Sequence, residues 1–75
     1  MPKRDPILRA LGQSVAKYRQ EKELSQGALA ERACLNRTYL SDIERGVRNP
    51  GIKNVARLAK ALGISTAELC KGVDG

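Results

Sequence analysis

No stretch of this chain alternates apolar and polar residues with period two, and its apolar side chains recur at intervals of three and four. That spacing is the helical period, so the stripes of several helices must be buried against one another. A chain of 75 residues has surface for one core and no second lobe around a substrate cleft. The expectation is all-α: one domain of five short helices.

Punctuation along the chain divides it accordingly. Residues 1–5 are polar and read as a flexible terminus, and residues 72–75 as a short tail, with the domain over 6–71. Pro6 suits a first helical turn, and Leu8, Leu11, Val15 and Tyr18 share one face of the helix it opens. Gly12 weakens that helix slightly. Ser25 is placed to cap a second helix carrying Leu29, Ala30 and Ala33, and Asn36 a third carrying Leu40 and Ile43. Gly46 supplies a left-handed stop, and 47–51 is a loop by its Asn-Pro-Gly chemistry. Ile52, Val55, Ala56, Ala59 and Leu62 are spaced for the face of a fourth helix ending at Gly63. Ser65 and Glu68 have capping-box spacing for a fifth, over Thr66 to Lys71.

Composition narrows the chemistry. Histidine is absent, which removes the commonest general base, the commonest zinc ligand and any Ser/His or Cys/His nucleophile pair. Cys34 and Cys70 lack CxxC spacing and cannot complete a four-ligand zinc site, so they read as reduced thiols of a cytoplasmic protein. No apolar run approaches the roughly 20 residues of a membrane span, and no signal peptide is expected. No metal, cofactor or small-molecule ligand is implied. A net charge of +6 points to a polyanionic partner, nucleic acid before membrane.

The most informative segment runs from Gln26 to Arg45. Two short helices crossing at roughly 90–120° through a short turn need a small residue at the crossing and apolar residues flanking it. Ala30 supplies the first; Leu29, Ala33, Leu35, Leu40 and Ile43 supply the others, in register.

This segment resembles the helix-turn-helix of the phage repressor/Cro family, often called XRE. The likeness extends through Ile-Glu-Arg-Gly at 43–46, Arg-Asn-Pro at 48–50 and Leu-Ala-Lys-Ala-Leu-Gly at 58–63, and covers about residues 8 to 70. Asn-Arg-Thr-Tyr-Leu-Ser at 36–41 with Glu-Arg-Gly is most similar to the controller proteins of restriction–modification systems. Two positions depart from the pattern. Cys34 stands where the family usually has Gly, at a turn tending to a left-handed backbone, and Gly27 where a stronger helix former is common. The resemblance also implies an ion pair between Arg19 and Glu44, tying the first helix to the third.

A recognition helix enters the major groove by its N-terminal part. The resemblance therefore implies base contacts from Arg37, Thr38 and Ser41, with Asp42 one step round the helix. Arg37 suits guanine, Thr38 a thymine methyl and Asp42 a cytosine amino group. Gln26 and Asn36 at helix starts, with Arg48 and Lys53 around the following loop, are candidates for the DNA backbone. Arg45 is placed as a helix-end cation near the negative pole of the dipole. Tyr39 has two readings: a hydroxyl reaching phosphate, or core filling.

The expectation is a sequence-specific transcriptional regulator, not an enzyme, binding double-stranded DNA at a pseudo-palindromic operator as a homodimer. Ala67, Cys70 and Val73 are the candidate dimer contacts, with Ile64 and Leu69 turned to the core. The alternative is an antitoxin or adaptor that uses the same fold to mask a protein partner. Such an adaptor has no need of Arg37, Thr38 and Ser41 pointing outward together with Arg48 and Lys53.

Overall fold

The computed structural model describes residues 5–74, and four of its five helices start where a short polar side chain caps them. Helix α1 spans Pro6–Glu21, α2 Gln26–Arg32, α3 Arg37–Glu44, α4 Gly51–Leu62 and α5 Thr66–Leu69. Asp5, grouped by sequence with the polar terminus, is the α1 cap: its Oδ1 accepts from the Ile7 N–H at 2.9 Å and the Leu8 N–H at 3.3 Å. The rest of that segment, residues 1–4, lies outside the described residues. Ser25 Oγ accepts from Ala28 N, Asn36 Oδ1 from Thr38 N and Tyr39 N, and Ser65 Oγ from Glu68 N. Helix α4 lacks such a cap; Gly51 N–H donates instead to Asn49 Oδ1 at 3.1 Å. Helix α5 is shorter than its spacing predicts, because the chain turns at Cys70 and Val73 N–H bonds back to the Cys70 carbonyl.

Helices α1 to α4 end alike. Each is followed by a left-handed residue, and the next N–H reaches back to the fifth carbonyl before it: Leu24 to Arg19, Leu35 to Ala30, Val47 to Asp42 and Ile64 to Ala59. Gly46 and Gly63 take the left-handed position without steric cost, whereas Glu23 and Cys34 take it at φ 57°. Glu23 carries no sequence signal for this, since Glu is not a residue that favours positive φ.

The core joins all five helices through Leu11 and Val15 of α1, Leu29 and Ala30 of α2, Leu40 and Ile43 of α3, Val55, Leu58, Ala59 and Leu62 of α4, and Leu69 of α5. Each fully buried Leu or Ile contributes roughly 1.5–3 kcal/mol. The α4 face differs from its expected set. Leu58 is fully buried, while Ala56 is exposed and Ile52 is 71% exposed. Ile52 lies in the first turn, beyond the core's edge, and Ala56 lies a helical step round from Val55.

Gly12, expected merely to weaken α1, is what lets α1 and α3 touch. A Cβ there would lie 2.5 Å from the Glu44 carbonyl oxygen and closer still to that of Ile43. The backbones of the two helices meet where only hydrogen fits. Two side-chain bonds then pin α1 to α5: Ser14 Oγ donates to the Leu69 carbonyl at 2.6 Å, and the Tyr18 hydroxyl to Glu68 Oε2 at 2.9 Å. Glu68 thus turns to α1.

Candidate nucleic-acid interface

Helix α3 has two apolar anchors, Leu40 and Ile43, and both are buried. With the anchors inward, the helical period turns Thr38 and Ser41 away from the core and leaves Arg37 at the edge of the buried stripe. Arg37 and Thr38 are exposed and Ser41 half-buried. These three, with Gln26 of α2, Asp42 and Arg45, line one shallow depression. Helix α3 has eight residues and is therefore about 12 Å long, comparable with the width of a B-DNA major groove.

A largely buried network sets the angle of this face. Arg19 Nε donates to Glu44 Oε2 at 2.7 Å and Arg19 Nη2 to Glu44 Oε1 at 3.1 Å, while Arg19 Nη1 closes onto the Leu24 carbonyl at 2.9 Å. The side chains are only 15% and 7% exposed. The hydrogen bond to Glu44 raises the Arg19 pKa above its ordinary value, although burial pulls the other way. Gln26 joins in, its Nε2 donating to Glu44 Oε1 at 3.0 Å. This second link fixes the start of α2 against the end of α3 and leaves the Gln26 carbonyl oxygen without that tie. Sequence reasoning missed it, because the residues lie 18 positions apart and neither type demands the other.

A second network lies at the far end of α3. Asp42 Oδ1 accepts from Arg45 Nη2 at 2.5 Å, and Asp42 Oδ2 lies 3.7 Å from Arg48 Nη2. The Arg48 guanidinium sits over the Tyr39 ring, 5.2 Å from its centroid. The Tyr39 ring packs against the core, and its hydroxyl turns inward, accepting from Asn54 Nδ2 at 3.2 Å and facing the Pro50 carbonyl at 3.5 Å. Asn54 had no signal in the sequence. Lys53 is exposed on the first turn of α4, and Asn36 spends its carbonyl oxygen on its cap.

The candidate dimer residues are placed less favourably. Cys70 and Val73 are half-buried and pack against the core, so Ala67 alone of the three is exposed. Larger exposed apolar groups among the described residues are Ile52, Val47 and Ile7. Cys34 is exposed at the left-handed turn position. No helix of the described residues is long and apolar enough to cross a membrane.

A family profile described as helix-turn-helix matches residues 15–69, which takes in α2 to α5 and the last part of α1. The chain belongs to the helix-turn-helix family. It is 46% identical over 59 residues to the control protein C.BamHI of Bacillus amyloliquefaciens, spanning 77% of this chain and 73% of that protein. The crystal structure of the restriction–modification controller protein C.AhdI from Aeromonas hydrophila superposes with a TM-score of 0.81 at 42% identity, covering 83% of this chain and 94% of that one. SinR, a master regulator for biofilm formation solved in complex with DNA, superposes with a TM-score of 0.75 at 38% identity, over 79% of this chain and 95% of that one. Within the helix-turn-helix family, this chain is thus of the repressor-like type shared with controller proteins, a type made of DNA-binding regulators and not of catalytic domains.

Proposed function

We propose that this protein is a cytoplasmic transcriptional regulator of the controller type, binding a pseudo-palindromic operator in double-stranded DNA as a homodimer. One observation carries the reading: Arg37, Thr38 and Ser41 face outward together on the helix that the helix-turn-helix presents, around one depression with Gln26. Arg37 reads guanine by its guanidinium, and Thr38 and Ser41 read neighbouring base edges. Arg48, Lys53, the Asn36 amide and the start of α2 at Gln26 hold the phosphates on either side. Tyr39 supports Arg48 from beneath.

One eight-residue helix reaches only a few base pairs, and a two-fold copy doubles the site. Ala67 on α5 and Ile52 on α4 are exposed apolar residues available to that copy, while Cys70 and Val73 are half-buried against the core. The likeness to C.BamHI and C.AhdI supports the controller reading.

Selection of bound sites from random DNA by the purified protein tests it. The expected product is a symmetric motif with half-sites about one helical turn apart. Recovery of no motif would overturn the regulator and leave the adaptor.

A further inference from the structure

Asp42 is an acid on the face proposed to meet DNA, and its carboxylate is drawn to two cations. One oxygen takes the Arg45 hydrogen bond and the other faces Arg48, which itself lies on the Tyr39 ring. A single side chain, 18% exposed, therefore collects two arginines from opposite sides of the turn at Gly46. Oδ1 accepts from Arg45 and Oδ2 lies 3.7 Å from Arg48, so the carboxylate is drawn to two cations and is not aimed freely at a base edge. Arg45, read from sequence as a helix-end cation, lines the same depression as Arg37 and Thr38.

We infer that Asp42 is a specificity-setting positioning residue, which lowers affinity for arbitrary DNA while holding Arg45 and Arg48 in the geometry the operator meets. The inference rests on the DNA-reading role proposed for α3. Its physical basis is that the two effects of the carboxylate fall on different complexes. Repulsion of phosphates and partial neutralisation of two arginines weaken binding to every sequence alike, since backbone contacts carry no sequence information. Holding the guanidinium groups in place matters only where the DNA presents partners at fixed positions. A loose arginine finds a phosphate on any duplex; a held one does so only in register. What sets regulation is the ratio of operator to arbitrary binding, and Asp42 raises it because the repulsion falls on both members while the held arginines restore the first alone.

Asp42→Asn and Asp42→Glu, compared with wild type on the selected site and on a scrambled duplex of equal composition, test this. A unit charge about 7 Å from a phosphate in water changes binding roughly threefold. Asp42→Asn is therefore expected to bind the scrambled duplex about threefold tighter per half-site, with a salt slope steeper by about one. Its discrimination between the duplexes should fall at least tenfold, at an unchanged melting temperature. Asp42→Glu keeps the charge and should retain wild-type affinity for scrambled DNA. Equal weakening on both duplexes, or a changed preferred base with scrambled affinity intact, overturns the inference. A wild type that selects no site overturns the parent reading as well, whereas a selected site that Asp42→Asn discriminates undiminished overturns this inference alone.

Discussion

Arg37 and Arg48 are both exposed arginines within reach of the same surface, yet their settings differ in kind. Arg37 stands at the first position of α3 among the other outward residues, and Arg48 is stacked on Tyr39 beside the loop. Arg37→Ala should lose roughly 1–3 kcal/mol and relax preference at one base position per half-site. Arg48→Ala should weaken binding to all sequences alike and shallow the salt slope by about one. Site selection and salt titration with each variant separate them, and an intact site preference in Arg37→Ala would refute its role. Arg19→Ala acts on stability instead. It strands the Glu44 carboxylate, which is 7% exposed, at a cost of roughly 3–5 kcal/mol. Thermal melting should register that loss directly, and an unchanged melting temperature would contradict it.

Among the helices, the contact of α1 with α3 depends on an absent side chain. In an isolated helix Gly12→Ala gains nearly 1 kcal/mol in propensity. Here the new methyl group meets the Ile43 and Glu44 carbonyls, and relief requires α1 to move off α3. Overpacking of this kind costs about 1–3 kcal/mol or more, and in a domain this small each kcal/mol lowers the melting temperature by roughly 4–8 °C. Calorimetry on Gly12→Ala should show a clear drop, whereas a gain would mean the helices can separate freely. The tie between α1 and α5 responds to pH. Donation to Glu68 raises the Tyr18 pKa above its ordinary value of 10.0, helped by burial and by the Glu68 and Glu21 charges. The folded pKa is the higher, so this stabilisation is complete below pH 10 and lost as pH rises through the folded value. Tyr18→Phe lacks the hydroxyl, so its stability should fall less steeply than wild type in alkaline denaturation; parallel curves would rule the tie out.

For the molecule as a whole, the decisive quantities are a net charge of +6 and a modest apolar surface for a second copy. Interfaces below about 1,200 Å² are weak, so a monomer–dimer equilibrium in the micromolar range is expected, drawn toward dimer by DNA. Operator occupancy should then rise more steeply with concentration than a hyperbola. If the dimer neutralises on the order of six phosphates, log affinity should fall against log salt with a slope near −5. Sedimentation across concentrations checks the assembly: Ile52→Glu and Ala67→Glu should each shift the profile toward monomer. Wild type that stays monomeric with and without operator DNA would sink the dimer.

The five helices, their caps at Ser25, Asn36 and Ser65, and the outward set Arg37, Thr38 and Ser41 were legible from the sequence. Each depends on local rules: the helical period, a short polar cap, and a face left over once Leu40 and Ile43 turn inward. The same rules misplaced Ile52 and Ala56, because periodicity says which residues share a face but not how far the core extends along it. Only the tertiary structure decided that Gly12 is an α1–α3 contact, that Glu44 holds Gln26 as well as Arg19, and that Asp42 gathers Arg45 and Arg48. Those facts concern chains meeting across 18 to 32 positions, or guanidinium groups choosing among several carboxylates, and no local pattern encodes such choices. Periodicity is a property of neighbours along the chain. Which glycine faces a carbonyl, and which arginine faces an aspartate, follows only once the helices have crossed.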